Sequence, residues 1–339
     1  MAHQSNALLT DLLKEVSRSF YLTLRVLPTS IRPQIRLAYL LARTTDTIAD
    51  TQLLPVEHRL EALQMLRERI LGTRETELQF GQLALQQSSP AERILLEQCE
   101  TSLTLLQTLT PSDIKLVRLV LDTITGGQEL DLRRFAAASE TGIVALSTDK
   151  DLDDYTYRVA GCVGEFWTRM CRAHVFPKAR LDDTFLLANS VRFGQGLQMV
   201  NILRDLAADL RLGRCYLPEE RLTAIGLSPA ALLQPANESR VRPLLNDYIR
   251  QSEDHLRAGW MYTNALPWGS VRVRLACAWP ILIGFRTLRL LRAGNVLDPE
   301  QRMRISRTDI RNCLWRSVLY YPWPAAWEKL INPQDCQPK

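Results

Sequence analysis

Two carboxylate pairs far apart in the chain, Asp46-Thr-Ile-Ala-Asp50 and Asp205-Leu-Ala-Ala-Asp209, are the residues best placed to do chemistry. A separation of four puts both carboxylates of a pair on one helix face, a turn apart. Two such helices facing each other would enclose four negative oxygen donors, a cage for a hard divalent cation that bridges phosphate. The surroundings favour that reading, because Ile35 to Arg43 and Gly194 to Arg204, which lead into the pairs, are apolar at helical spacing. Carboxylates are costly to bury unless paired or metal-bound. A third pair, Asp149 and Asp153, has the same spacing but lies in the charge run Asp149-Lys-Asp-Leu-Asp-Asp154. It reads instead as the acidic first turn of a helix.

Cations accompany both apolar pairs. Arg43 stands three residues before Asp46, Arg204 directly precedes Asp205, and Arg211 and Arg214 follow Asp209. Each alone is readable as a salt bridge that neutralises a buried acid. Together, acids for metal and guanidinium forks describe a site for a polyanion such as a diphosphate. Ser17, Arg18 and Ser19, before Phe20 and Tyr21, are either a solvated helix turn or a hydroxyl–cation–hydroxyl grip on phosphate. Gly126-Gly127 falls inside a helical stretch, where paired glycines are costly. It suits either a close helix–helix contact or the approach of an apolar ligand.

The elements that must position these groups are helices. Helical periodicity covers Leu8–Val26, Pro33–Thr51, Val56–Leu71, Ala91–Thr108, Pro111–Arg134, Leu152–His174, Thr184–Asp209, Pro229–Leu233, Val241–Leu266, Ser270–Ala293 and Arg307–Tyr320, with Pro or Gly punctuation between them. No convincing alternating strand interrupts them. An all-α bundle with a central cavity follows, and bundles build ligand sites from side chains on facing helices. The chain has 339 residues, 46% of them hydrophobic, with 15 glycines and no linker-like stretch, so a single domain over 1–339 is expected.

Composition excludes several classes. A net charge of +5 with dispersed arginines is not the basic stripe of a nucleic-acid binder. Seven cysteines without a Cys-x-x-Cys pair form neither a disulfide framework nor a zinc signature. His3, His58, His174 and His255 are not spaced as ligands. The polar start Met1-Ala-His-Gln-Ser-Asn6 is no signal peptide, and a reducing cytoplasm is the expected compartment.

Asp46 to Asp50 after Tyr39 and Arg43, together with Asn201-Ile-Leu-Arg-Asp-Leu-Ala-Ala-Asp209 followed by Gly213-Arg-Cys-Tyr-Leu-Pro218, resembles the two aspartate-rich motifs of the squalene and phytoene synthases. Ser17 to Tyr21, Tyr155 before Val159-Ala-Gly-Cys-Val-Gly164, and Gln198 add to the likeness, which runs from about residue 14 to about residue 310 and leaves 311–339 as a tail. The resemblance implies an isoprenoid-synthase-type fold. It also implies head-to-head condensation of two farnesyl diphosphates through presqualene diphosphate, then reduction by NADPH to squalene. By the same resemblance, Asp46, Asp50, Asp205 and Asp209 hold Mg²⁺, with Mn²⁺ as the alternative ion. Ser17, Arg18, Ser19, Phe20, Tyr21, Tyr39, Arg43, Gln198, Asn201, Arg204 and Arg214 bind substrate, and Tyr155 lines the reaction centre, though a plain core tyrosine is the other reading.

Cys277-Ala-Trp-Pro280 is similar to the Cys-Ala-x-Pro stretch of squalene synthases, and Arg304 and Arg307, in Arg302-Met-Arg-Ile-Ser-Arg307, partly match their nicotinamide-cofactor segment. Serine stands in that segment where a second consecutive base is common, and Gly213 to Pro218 is closer to the phytoene-synthase style. A phytoene or dehydrosqualene synthase, which needs no NADPH, is therefore the alternative. A non-catalytic assembly factor of the same fold is a remoter one, disfavoured by the intact acids. No membrane span is expected. The aromatic tail from Leu314 to Trp327 suits either packing onto the domain or peripheral contact with the inner face of a membrane.

Overall fold

The computed structural model describes residues 12–17, 21–51, 53–139, 141–301 and 303–331. The chain divides into two compact units, Met1–Ala136 with Phe166–Lys178, and Ala137–Glu165 with Ala179–Lys339. Each unit combines two stretches of sequence, so no single composition break marks where one ends.

The first unit contains helices α1 (Tyr21–Val26), α2 (Arg32–Asp50), α3 (Val56–Leu71), α4 (Gly81–Leu85), α5 (Pro90–Glu97), α6 (Cys99–Leu106) and α7 (Pro111–Arg134). Helix α2 starts where Pro33 presets the backbone of its first turn. It buries Ile35, Leu37, Leu41 and Ile48 against neighbours that include α3 and α7. Its far end, which carries the first acid pair, is held by two side chains. Buried Arg59 donates to the Ala49 carbonyl at 2.9 Å, and Gln87 donates to the Thr51 hydroxyl at 2.8 Å. The first of these satisfies a carbonyl that a helix end otherwise leaves without a partner.

The second unit contains α8 (Asp149–Thr156), continued by a π-helical segment Tyr157–Gly161 into α9 (Cys162–His174), whose later residues belong to the first unit. Then come α10 (Asp183–Arg211), α11 (Glu219–Ala224), α12 (Glu238–Ala265), α13 (Val271–Ala293), α14 (Arg307–Tyr320) and α15 (Pro324–Glu328). Helix α10 packs along α12 and also contacts α13. It crosses the π segment so closely that a Cβ at Gly194 would stand 2.2 Å from the Ala160 carbonyl oxygen, and one at Gly164 would stand 2.0 Å from that of Ser190. Those glycines are what permit the backbones to touch.

Three local features depart from the periodicity. The stretch expected as one helix from Ala91 to Thr108 is broken at Gln98 into α5 and α6, and nothing in the local sequence marks the break. The helix expected from Leu152 begins at Asp149, because Thr148 and Asp151 form a reciprocal capping box. Asp149 thus opens a helix, and its carboxylate accepts from Tyr248 at 2.6 Å and Arg221 at 2.8 Å. Finally, a two-residue parallel pairing joins β1 (Val144–Ala145) to β2 (Arg214–Cys215), too short to produce alternation in sequence. Among the described residues no helix is long and apolar enough to cross a membrane, and Cys99, Cys162, Cys171, Cys215, Cys277 and Cys313 are buried.

Candidate active site

In the first unit, Tyr39, Arg43, Asp46 and Asp50 lie on successive turns of one face of α2. The Arg43 guanidinium is pinned by Glu92 at 2.6 Å and reaches the Asp46 carboxylate at 3.8 Å. From α7, the Gln128 amide donates to Asp46 Oδ1, while its own Oε1 is buried without a hydrogen-bond partner. Asp46 keeps partial contact with solvent, yet the surrounding protein, and then Asp50 one turn on, push its carboxyl up to about 7. Arg43 and Gln128 pull the other way without cancelling this. A cavity of about 220 Å³ opens beside the pair, with Arg43, Asp50, Ser88 and Glu92 in its wall. A raised carboxyl next to a second carboxylate, a fixed guanidinium and an orphaned amide oxygen is a place where added positive charge is favoured.

In the second unit, α10 carries Gln198, Asn201, Arg204, Asp205 and Asp209. Arg204 grips Asp205 in a two-pronged ion pair, Nε to Oδ1 at 2.9 Å and Nη2 to Oδ2 at 2.5 Å. That bond, with Asp209 adding to it, holds the guanidinium above its ordinary value. Here the salt-bridge reading of an adjacent arginine is the observed geometry. Beyond the helix end, Gly213 takes φ 79° against Ser139, whose backbone nitrogen would stand 2.4 Å from any Cβ there. The turn delivers Arg214 and Cys215 into their pairing with β1, and Tyr216 then stacks on Tyr155 with ring centroids 4.6 Å apart. Gln198 donates to the Tyr155 hydroxyl at 3.4 Å, and Asn201 donates to Gln198 Oε1 at 3.4 Å. Gln128, Glu92 and Tyr216 were not singled out in the sequence. Gln128 reaches Asp46 and Glu92 reaches Arg43 from helices distant in sequence, and no spacing rule connects them.

The other expected residues have surroundings of their own. Ser17 is buried and donates to the Leu13 carbonyl at 2.5 Å, Tyr21 is half-buried, and Arg18, Ser19 and Phe20 lie outside the described residues. Cys277 is buried and Pro280 sits within α13. Arg304 lines a separate cavity of about 340 Å³ with Arg286, Arg289 and Ser306, and Cys277 does not contribute to it. Arg286 is nine residues further along α13 from Cys277, about 13 Å at the helical rise. Arg307 is the exposed first residue of α14, and Arg302 lies outside the described residues. Gly126 faces the Arg67 guanidinium, 3.7 Å from where a Cβ would be.

The donors available at both pairs are hard oxygens. Among the described residues no three His, Cys, Asp or Glu side chains gather as a metal cage. A Mg²⁺ ion is ordinarily held by one or two carboxylates with the rest of its sphere from water and substrate phosphate, which suits pairs of this kind. Gln128 Oε1, buried without a partner beside Asp46, supplies one more oxygen of the same type.

A helical fold with paired aspartates and arginines on adjacent turns belongs to the isoprenoid-synthase class. The squalene/phytoene synthase family profile matches residues 13–309, and the chain belongs to that family. It is 27% identical to the squalene synthase of Schizosaccharomyces pombe across 87% of this chain. It is 33% identical to the presqualene diphosphate synthase of Sinorhizobium fredii across 62% of this chain. Both matches cover 61% of the relative's own length, and a match to a bifunctional lycopene cyclase/phytoene synthase of Blakeslea trispora covers 32% of it. The solved complex of TcSQS with the ligand E5700 superposes with a TM-score of 0.76 at 22% identity, covering 98% of this chain and 99% of that one, a likeness of fold.

Proposed function

We propose that the chain is a Mg²⁺-dependent squalene synthase that joins two farnesyl diphosphates head to head through presqualene diphosphate and then uses NADPH to form squalene. The observation that carries this reading is the recurrence, once in each unit, of an aspartate pair with a guanidinium within reach. Mg²⁺, when bound, supplies the positive charge that a departing diphosphate needs. Asp46 and Asp50 would hold such an ion on α2, with the Gln128 oxygen beside them, and Asp205 and Asp209 would hold one on α10, where Arg204 is within reach of the same diphosphate. Arg43, kept in place by Glu92, stabilises charge on the leaving group at no cost of reorganisation. The Tyr155–Tyr216 stack offers π faces to a developing carbocation, and its hydroxyl is oriented by Gln198. For NADPH, the arginines at 286, 289 and 304 are a set suited to a phosphate.

A second reading, that the enzyme stops at presqualene diphosphate, is favoured by the separation of Cys277 from the Arg304 cavity and by the relative that bears that name. Incubating purified protein with farnesyl diphosphate and Mg²⁺, with and without NADPH, and analysing the products separates these readings. Squalene that appears only with NADPH is the expected result. Presqualene diphosphate under both conditions establishes the second reading, and dehydrosqualene under both moves the chain to the reductant-free branch. No condensation product at all overturns both.

A further inference from the structure

The aromatic residues near the C-terminal end of the described chain are sorted into two sets by the fold. Trp327 is fully buried and Tyr321 nearly so, in a cluster with Trp260 and Trp268. Buried Arg274 lies over three of these rings, 4.6 Å from the centroid of Trp268, 5.5 Å from Trp327 and 5.8 Å from Tyr321. Arg274 also donates to the Leu266 carbonyl at 2.8 Å, and Trp327 Nε1 donates to Asn264 Oδ1 at 2.8 Å. Further back, α14 is docked by Cys313 and Ser317, both buried, with Trp279 donating to the Ser317 hydroxyl at 3.0 Å.

The second set takes no part in this docking. Trp315 is 71% exposed, Leu319 59%, Trp323 58% and Val318 47%. On α14 at 100° per residue, Trp315 and Leu319 point away from the Cys313–Ser317 side, Val318 flanks them, and Arg311 falls on the same outward face. Arg316 borders it, with its guanidinium 5.5 Å from the Tyr320 ring centroid. From residue 304 to 327 there are four arginines and one carboxylate, Asp309.

We propose that this outward face of α14, with Trp323 beyond it, docks on an anionic lipid bilayer surface as an interfacial anchor. Tryptophans at the water boundary, aliphatic side chains between them and arginines on the same face are the composition that partitions into the headgroup region, where arginine meets lipid phosphate. A second copy fits the charge less well, because a two-fold contact sets each patch against itself and would place Arg311 and Arg316 among their own like with only Asp309 to answer them. The anchor shares no residue with the aspartate motifs or with the proposed reaction.

The test is co-sedimentation of the purified full chain with vesicles of phosphatidylcholine containing about 30% phosphatidylglycerol, beside pure phosphatidylcholine vesicles. The chain should bind the mixed vesicles with a blue shift in tryptophan emission, and bind the neutral ones at least about tenfold more weakly, with raised salt having the same effect. The double variant Trp315→Ser, Trp323→Ser should lose about tenfold or more in binding. Its melting temperature should stay near that of the parent, since neither ring packs inside. Arg311→Ala with Arg316→Ala should lower binding to the mixed vesicles alone. Absence of binding by the parent chain, or binding untouched by the tryptophan variant, overturns the proposal. A vesicle-free dimer that the same tryptophan variant dissolves overturns it in favour of a second copy.

Discussion

Asp46 is asked to be a carboxylate in surroundings that resist its charge. Its folded value of about 7 stands above the ordinary aspartate value of about 4, so between those limits the folded chain binds more protons than the unfolded one. Stability of the metal-free protein should therefore fall as pH rises from about 4 through about 7, and level off above. Thermal melts across that range, with and without Mg²⁺, check this. The parent should be rescued by Mg²⁺ at neutral pH, whereas Asp46→Asn should show a flatter profile and little rescue. For turnover, Asn at 46, 50, 205 or 209 should leave the fold intact and cost about a hundredfold or more, since oxygen geometry survives but charge does not. The same change at Asp153 should leave turnover near that of the parent. Arg204→Lys retains a charge but loses the two-pronged grip seen on Asp205, so the affinity for inorganic diphosphate with Mg²⁺ should drop. Unchanged affinity would leave Arg204 as a neutralising partner only.

At the scale of elements, the turn after α10 is the most exacting piece of backbone near the second motif. Gly213→Ala must hold φ 79° and push its Cβ into Ser139, so a loss of about 2 kcal/mol or more in stability is expected, with weaker diphosphate binding as Arg214 shifts. Gly269→Ala, where nothing lies within 4 Å, should change stability by no more than about 0.5 kcal/mol in the same denaturant titration. Helices such as α3, α7 and α14 were legible to the residue, because Pro, Gly or a hydroxyl cap marks their limits and their buried positions recur at helical spacing. The acid motifs were legible for the same reason, being local patterns of four. Gln128 was not, since it meets Asp46 across 82 residues of chain and its helix positions carry no motif. The π segment at Tyr157–Gly161 was equally hidden, because one extra residue in a helical turn leaves the composition unchanged.

For the whole molecule, family membership sets the frame, and the reductive half-reaction is the property most open to a direct measurement. Arg304→Ala should raise the NADPH concentration needed for squalene while leaving the first condensation near its parent rate, because Arg304 lines a cavity to which neither aspartate pair contributes. Product analysis at low and high NADPH checks this. The Arg274 cluster has a separate consequence for how the chain from Tyr321 to Trp327 comes away from Trp260 and Trp268. Burial lowers the pKa of this guanidinium from its ordinary value, and no carboxylate among the described residues pairs with it; it rests on the Asn264 and Leu266 carbonyls, the Asn264 side-chain amide and ring faces. No group of the ring cluster itself takes up a proton in mild acid, and its one charge is buried away from dissolved ions, so brine and vinegar alike should leave the chain from Tyr321 to Trp327 fastened even where the Arg286–Asp309 pair weakens. Only loosening the rings themselves, by heat or by a solvent that wets them, should let it go.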